Sequence, residues 1–437
     1  MQKLFKIITL GCKVNQYESA FIEESLLSKG CKKAKAQEEA DLVIINGCIV
    51  TSTASYQTRQ AIRRGIRENP RAVTAVVGCY GQVFPEELAN IEGLDIIAGN
   101  REKGSLPGLL LDATRQNQPL ILRKDFEASP PFEHLPIKSF AGRTRAFVKI
   151  QDGCESFCSY CIVPYARGPL RSLEPHRVVE LLKELERNGH KEAVLTGIHL
   201  GKYGTDLGNG IDLYRLLVEI GRNRSQMRVR LSSLEPAEIG RDLIEFMESH
   251  DWVCRHFHIS LQSGDDTVLK MMNRHYTAEQ FANLVEDIDR HVHRVSLGVD
   301  VMVGLPGETE KAFDTTLALL RNLPIGYLHV FPYSKREGTA AAQLPDHLHP
   351  KTIKERATRL RSLDKEKRRL FWSSLAGETF QVLTEGWVPG QIGLARGLSD
   401  NYVKFTFPSR APNTNEFVRV RAVRIHDQGI MGEPIEG

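Results

Sequence analysis

The chain has 437 residues, of which 41% are hydrophobic and 26% charged, with eight cysteines and a formal net charge of +4. That composition is ordinary for a soluble globular protein, and no run approaches the ~20 apolar residues of a membrane-spanning helix. A chain of this length has room for about three domains and can bury sizeable cores without disulfide staples.

Residues 1–115 alternate short apolar runs with helical patterns. Residues 5–10, 42–45 and 73–77 read as buried strands, with helices over 16–27 and 54–66 between them. Such alternation predicts a parallel α/β sheet. Each strand ends in glycine followed by cysteine: Gly11-Cys12, Gly47-Cys48 and Gly78-Cys79. Parallel sheets bind ligands beyond the carboxyl ends of their strands. Cys12, Cys48 and Cys79 are therefore expected on one rim, where glycine permits tight turns. The competing reading is three unrelated core cysteines, which the repetition disfavours. The N-terminus lacks a signal-peptide cleavage site, so a cytoplasmic location with reduced thiols is expected. Clustered cysteines then suggest metal or redox sites.

Residues 115–140 are rich in Pro, Gln and charge and read as a linker. A second α/β region spans 140–370. Strands are expected at 146–150, 193–195, 229–232, 256–261, 297–303 and 327–331. Helices are expected at 175–187, 213–222, 239–248, 278–291 and 310–323. Six βα repeats fit a partial (β/α)6 barrel with its site on the C-terminal strand face. Residues 373–437 switch to strands at 380–384, 402–407 and 417–423, predicting a small β-barrel. That segment holds six Lys or Arg against seven acids, so composition alone gives it no nucleic-acid role. Positive charge concentrates elsewhere. Residues 351–370 hold nine Lys or Arg against three acids, and residues 59–71 hold five Arg against one Glu. Such patches meet phosphates or form solvated helix faces.

A second cysteine set, Cys154, Cys158 and Cys161, is compact and follows the first strand of the second region. Three thiolates are one too few to close a structural zinc site or to ligate every iron of a four-iron cluster. The first histidines downstream are His176 and His190, so a three-ligand cluster with one open iron fits better than zinc. Cys31 and Cys254 lack partners at ligand spacing and read as packing residues.

The string Cys154-Glu-Ser-Phe-Cys158-Ser-Tyr160-Cys161-Ile-Val-Pro-Tyr-Ala-Arg167-Gly168 resembles the radical S-adenosylmethionine signature as methylthiotransferases carry it. Matching segments follow in order: Thr196-Gly197-Ile-His-Leu-Gly201, Ser232-Ser-Leu-Glu235-Pro236, Leu261-Gln262-Ser263-Gly264, Asp300-Val-Met-Val-Gly304 and His329-Val-Phe-Pro-Tyr333-Ser. The resemblance implies a 4Fe-4S cluster on the tight triplet that binds S-adenosylmethionine and yields a 5′-deoxyadenosyl radical. Tyr160, Gly197, Ser232, Glu235 and Gln262 would line the S-adenosylmethionine pocket. A second 4Fe-4S cluster on Cys12, Cys48 and Cys79 would hold the inserted sulfur, and the C-terminal segment resembles the RNA-binding TRAM barrel. Beyond the cluster ligands the resemblance implies no catalytic side chain.

Three family branches act on isopentenyladenosine in tRNA, on threonylcarbamoyladenosine in tRNA, or on an aspartate of a ribosomal protein. The string Thr9-Leu-Gly-Cys12-Lys13-Val14-Asn15-Gln16 is most similar to the threonylcarbamoyladenosine branch. The implied partners are a tRNA anticodon stem-loop, a flavodoxin- or ferredoxin-type electron donor and a sulfur donor. Arg63, Arg64, Arg274, Arg419, Arg421 and the 351–369 segment would be RNA contacts. The chain departs from the family pattern at Gly47, where Thr is usual, at Asp265, and over 271–277. A catalytically idle RNA-binding iron–sulfur protein and a zinc module are the readings from other classes.

Overall fold

The computed structural model describes residues 2–435 except 129, 141, 224–225 and 412–413. The first part is a six-stranded, wholly parallel sheet. Its spatial order is Lys32–Lys33, Leu4–Thr9, Leu42–Gly47, Val73–Gly78, Ile96–Ala98 and Leu120–Leu122. The strands Leu42–Gly47 and Val73–Gly78 are buried along their whole length, as Val/Ile runs covered on both faces should be. The register pairs Gly47 with Gly78 and Thr9 with Asn46. The three Gly-Cys steps therefore leave adjacent strands at one sheet edge.

The stretch read as a linker is more than that. Leu120–Leu122 adds the sixth strand to the sheet, beyond the expected boundary at 115. Three residues are too few to register as a strand pattern in sequence. The rest of the stretch is fastened at intervals. Arg101 Nη1 donates to the Asp125 carbonyl at 2.8 Å, and the Tyr17 hydroxyl donates to the Leu135 carbonyl at 2.5 Å.

The second part holds two three-stranded parallel sheets. One orders Arg145–Lys149, Glu192–Thr196 and Arg228–Leu231. The other orders His256–Gln262, Ser296–Val303 and Tyr327–Pro332. Isolated bridges Val229–Val253 and Leu234–Ile259 join them edge to edge. The helices Pro175–Arg187, Leu213–Asn223, Arg241–Ser249, Ala278–His291 and Glu310–Asn322 follow the strands in turn. Their apolar faces pack on one side of both sheets, against Val148, Leu195, Phe257, Ile259, Val299 and Leu328. The opposite, concave side carries the polar residues of each strand.

Helix Pro350–Ser374 leads into a closed five-stranded barrel ordered Thr379–Val388, Gln391–Ser399, Lys404–Pro408, Gly429–Pro434 and Phe417–His426. Two of these strands, Gln391–Ser399 and Gly429–Pro434, are glycine-interrupted and gave no strand pattern in sequence. Phe380, Val382, Phe405, Phe407 and Val420 fill the barrel. Among the described residues no helix is long and apolar enough to cross a membrane.

Candidate functional site

The spread triplet is assembled by glycine turns. Gly11 and Gly78 sit at φ of +102° and +107°, where side chains other than glycine are strained. A Cβ on Gly11 would lie 2.8 Å from Cys48 Cβ, and one on Gly78 would lie 2.9 Å from the Gly47 carbonyl oxygen. Cys12 is exposed; Cys48 and Cys79 are buried. Cys12 precedes helix Lys13–Ser28, and Cys79 opens helix Cys79–Val83. Burial, with the neighbouring Cys79, pushes the Cys48 thiol up to about 11. Thr58 Oγ1 accepts from the Cys48 amide at 3.3 Å and donates to its carbonyl at 3.1 Å, fixing the second loop.

Gly153, at φ +78°, lets the tight loop leave its strand against the Pro169 carbonyl, where a Cβ would collide. The Cys154 amide donates to the Gly168 carbonyl at 3.0 Å, and that of Cys161 to Cys158 at 2.9 Å. Asn273 Nδ2 donates to the carbonyls of Ser156 and Phe157 at 3.1 and 3.2 Å. Two side chains reach the sulfurs from other loops. His199 Nδ1 lies 3.4 Å from Cys154 Sγ, and its Nε2 lies 2.6 Å from Glu238 Oε1. Burial opposes the imidazolium, but the bonds to Cys154 and Glu238 outweigh it and raise His199 to about 9. The same contact holds the Cys154 thiol below its ordinary value despite burial. Arg274 Nη1 donates to Cys158 Sγ at 3.4 Å, while its Nη2 bonds Glu235 and the Ser260 carbonyl.

A buried charge network ties the two loops together. Arg167, six residues after Cys161, has no exposed surface. It donates to Glu18 Oε1 at 2.6 Å, to Asn15 Oδ1 at 2.6 Å and to Asp152 Oδ2 at 3.4 Å. Glu18 also pairs with Lys103 and with Lys149, the latter at 3.3 Å. Asp152 pairs with Lys149 at 3.3 Å and Arg171 at 3.5 Å. Asn15 and Glu18 belong to the helix after Cys12; Asp152 lies just before Cys154. Burial opposes ionisation of both carboxylates, yet Arg167 and the lysines hold Glu18 at about 2 and Asp152 far below the usual range. Asn100 Nδ2 closes the link, donating to Cys79 Sγ at 3.5 Å and to the Ala166 carbonyl at 2.6 Å.

The expected pocket residues lie in the turn before Cys161 and at or beyond the ends of strands. Tyr160 is half-buried, and Glu235 sits on Arg274. Gly197 lies over Gln151, whose Oε1 would be 2.7 Å from an added Cβ. Ser232 is buried at the end of its strand, and Gln262 adopts φ +68° at the end of its own. Arg274 is a correction. It was expected at the RNA surface, but its side chain is 5% exposed and spent on Cys158 and Glu235. Arg63, Arg64, Arg419 and Arg421 are exposed; Arg64 pairs with Glu68 and Arg421 with Glu433, both at 2.8 Å. The basic helix is partly consumed internally. Arg356 bonds Glu308 at 2.6 Å, and Lys367 donates to the carbonyls of Arg321 and Leu323. Arg167 and His199 stand inside the motif strings read from the sequence, but nothing local to them tells what they touch.

Among the described residues, one group of three or more Cys, His or acidic ligand atoms lies within 4.8 Å of one another, and neither cysteine triplet is that group. Sulfurs on one tetrahedral zinc lie about 3.8 Å apart, given Zn–S bonds of about 2.3 Å. Neither triplet has the close sulfur spacing of a single tetrahedral ion, and three thiolates leave one iron of a four-iron cluster open. In the tight set, Cys154, Cys158 and Cys161 would hold it.

Two family profiles match the chain: the Radical SAM superfamily over residues 148–320 and the uncharacterized protein family UPF0004 over residues 4–99. The solved radical S-adenosylmethionine methyltransferase TsrM from Kitasatospora setae superposes with a TM-score of 0.54 at 16% identity, covering 76% of this chain and 75% of that one. Fold and site together define a radical S-adenosylmethionine protein. Among its relatives, the threonylcarbamoyladenosine tRNA methylthiotransferase MtaB of Bacillus subtilis is 37% identical, over 95% of this chain and 93% of its own. The tRNA-2-methylthio-N(6)-dimethylallyladenosine synthase of Moorella thermoacetica is 34% identical over 100% and 99%. The chain belongs to the radical S-adenosylmethionine methylthiotransferase family.

Proposed function

We propose that this protein is a transferase that methylthiolates C2 of N6-threonylcarbamoyladenosine at position 37 of tRNA. The observation that carries this reading is the pair of open three-cysteine sites, both at strand carboxyl ends and locked together through Arg167. On this reading residues 1–115, 140–370 and 373–437 are an N-terminal methylthiotransferase domain, a partial (β/α)6 core and a TRAM-like barrel. Two 4Fe-4S clusters are held, one by Cys154, Cys158 and Cys161, the other by Cys12, Cys48 and Cys79. When bound, the first supplies the electron that cleaves S-adenosylmethionine to a carbon radical, and the second carries the sulfur to be inserted.

The chain's own residues orient and exclude. His199 and Arg274 place positive charge beside the tight triplet's sulfurs. Tyr160, Gly197, Ser232, Glu235 and Gln262 shape the S-adenosylmethionine pocket. Arg167 fixes the spacing of the two sites. The target base must leave its stack to reach them, with Arg63, Arg64, Arg419 and Arg421 against the anticodon stem-loop phosphates. A flavodoxin- or ferredoxin-type donor supplies electrons, a sulfur donor reloads the second site, and the protein works in the cytoplasm.

Nucleoside mass spectrometry of tRNA from a deletion strain tests the reading. The 2-methylthio form of threonylcarbamoyladenosine should disappear. Loss of the 2-methylthio isopentenyl form instead, or a mass change on a ribosomal protein with tRNA unchanged, would refute it.

A further inference from the structure

The concave side of the second three-stranded sheet carries a polar cluster that neither cysteine site uses. On strands His256–Gln262, Ser296–Val303 and Tyr327–Pro332, alternate residues enter the helix-covered core: Phe257, Ile259, Leu297, Val299 and Leu328. The intervening ones, His256, His258, Asp300, Tyr327 and His329, face the other way. Register sets Asp300 beside His329 and Gly298 beside Tyr327, whose ring fills the space a Gly298 side chain would need. His258 Nε2 lies 2.6 Å from Asp300 Oδ1, and His329 Nδ1 lies 3.5 Å from the same oxygen. The Tyr327 hydroxyl lies 2.9 Å from His258 Nδ1 and 2.7 Å from His256 Nε2. His258 is thus bound at both nitrogens. His329 turns Nδ1 to Asp300 and keeps Nε2 for a ligand.

Exposure rises outward through the cluster: 8% for His258, 15% for Asp300 and 46% for His329. Phe331, 43% exposed, forms an aromatic lip beside the His329 ring. The cluster adjoins the tight triplet. Ser260, two residues beyond His258 on the same face, offers its carbonyl to Arg274, which reaches Cys158. A base presented beside the tight triplet meets this sheet face with its N6 substituent. The two tRNA substrates in the relatives' names differ at that substituent. A threonylcarbamoyl arm carries a carboxylate, a hydroxyl and urea N–H groups. A dimethylallyl arm is hydrocarbon and would strip water from Asp300 and two imidazoles without replacing a hydrogen bond.

We propose that His329, oriented by Asp300 and backed by His258 and Tyr327, receives the polar arm of threonylcarbamoyladenosine and selects it over a hydrocarbon-substituted adenosine. The proposal rests on the tRNA reading above. Its test uses the full chain with both cysteine sites reconstituted anaerobically. Anticodon stem-loops bearing threonylcarbamoyl-, dimethylallyl- or unmodified adenosine at position 37 compete for binding. Wild type should favour the threonylcarbamoyl form by about tenfold or more. His329→Phe should bring that ratio near one, and His329→Gln, which keeps a hydrogen-bonding end, should restore part of it. Cluster absorbance and circular dichroism establish that each variant is folded. A wild-type ratio surviving in His329→Phe would overturn the proposal while leaving the tRNA reading intact. So would one divalent ion per chain, beyond the clusters, that is lost on the same substitution. Wild-type preference for the dimethylallyl stem-loop would overturn both.

Discussion

Arg167 is a fully buried guanidinium whose partners lie 149 positions away on Glu18, 152 away on Asn15 and 15 away on Asp152. Its planar fork meets all three from two nitrogens, Nη1 bonding Glu18 and Asp152 and Nη2 bonding Asn15 and Glu18. Removing one member of such a network strands the others as unpaired buried charges, at a cost of about 3–5 kcal/mol. Arg167→Met should lower unfolding free energy by about that amount in denaturant titration, and Arg167→Lys by less. Equal stability of Arg167→Met and wild type would show the network to be dispensable. The cysteines separate by role rather than by stability. Cys12→Ala should still release 5′-deoxyadenosine when reduced with S-adenosylmethionine, yet attach no sulfur to tRNA. Cys158→Ala should do neither. Product chromatography with mass detection distinguishes them, and loss of 5′-deoxyadenosine in Cys12→Ala would contradict the division.

Packing between strand Leu42–Gly47 and helix Ser52–Glu68 explains why glycine precedes the second cysteine. A Cβ on Gly47 would stand 2.7 Å from Thr58 Cγ2, and Thr58 is the residue that bonds both backbone groups of Cys48. Gly47→Thr should therefore destabilise the protein by about 1–3 kcal/mol through overpacking. Adding Thr58→Ala should recover part of the loss, with the new hydroxyl near the vacated position. A double-mutant cycle measures the coupling, and strict additivity would disprove the contact. At this scale the sequence was most informative. Gly-Cys steps after Val/Ile runs pointed to a shared sheet rim because parallel strands are buried on both faces and end together. Leu120–Leu122 and the glycine-broken barrel strands were illegible, since sheet neighbours rather than local pattern hold them. The partners of Arg167, Arg274 and His199 were equally hidden. A string of residues fixes spacing along the chain, and these contacts depend on which loops the fold brings together.

The C-terminal barrel is joined to the rest by charge buried at the starts of two strands. Glu192 Oε2 accepts from Arg228 Nη2 at 2.6 Å, and its Oε1 accepts from Arg230 Nε at 2.8 Å. The free N–H groups of the arginines cross into the barrel. Arg228 donates to the carbonyls of Gln381 and Leu398 at 3.0 and 3.2 Å, and Arg230 to those of Asp400 and Ser399 at 2.8 and 3.0 Å. Tyr402 caps the joint, 5.2 Å from the Arg230 guanidinium and stacked on His256 at 4.5 Å. The barrel is thereby held beneath the concave polar face. Burial opposes the charge on Glu192, but the two arginines prevail and hold its carboxyl at about 2. A carboxyl depressed on folding stabilises fully above its unfolded value of about 4.3 and loses that contribution as pH falls toward the folded value. The stabilisation is on the order of 3 kcal/mol. Glu192→Gln should therefore be destabilised most at pH 7, and the gap to wild type should narrow between pH 4.5 and pH 3. Denaturant titrations at pH 7 and pH 3.5 read the difference. Faster hydrogen exchange in strands Thr379–Val388 and Gln391–Ser399 of the variant would locate the loss at the barrel joint. A gap that stays constant with pH would mean that Glu192 does not act there as a buried anion.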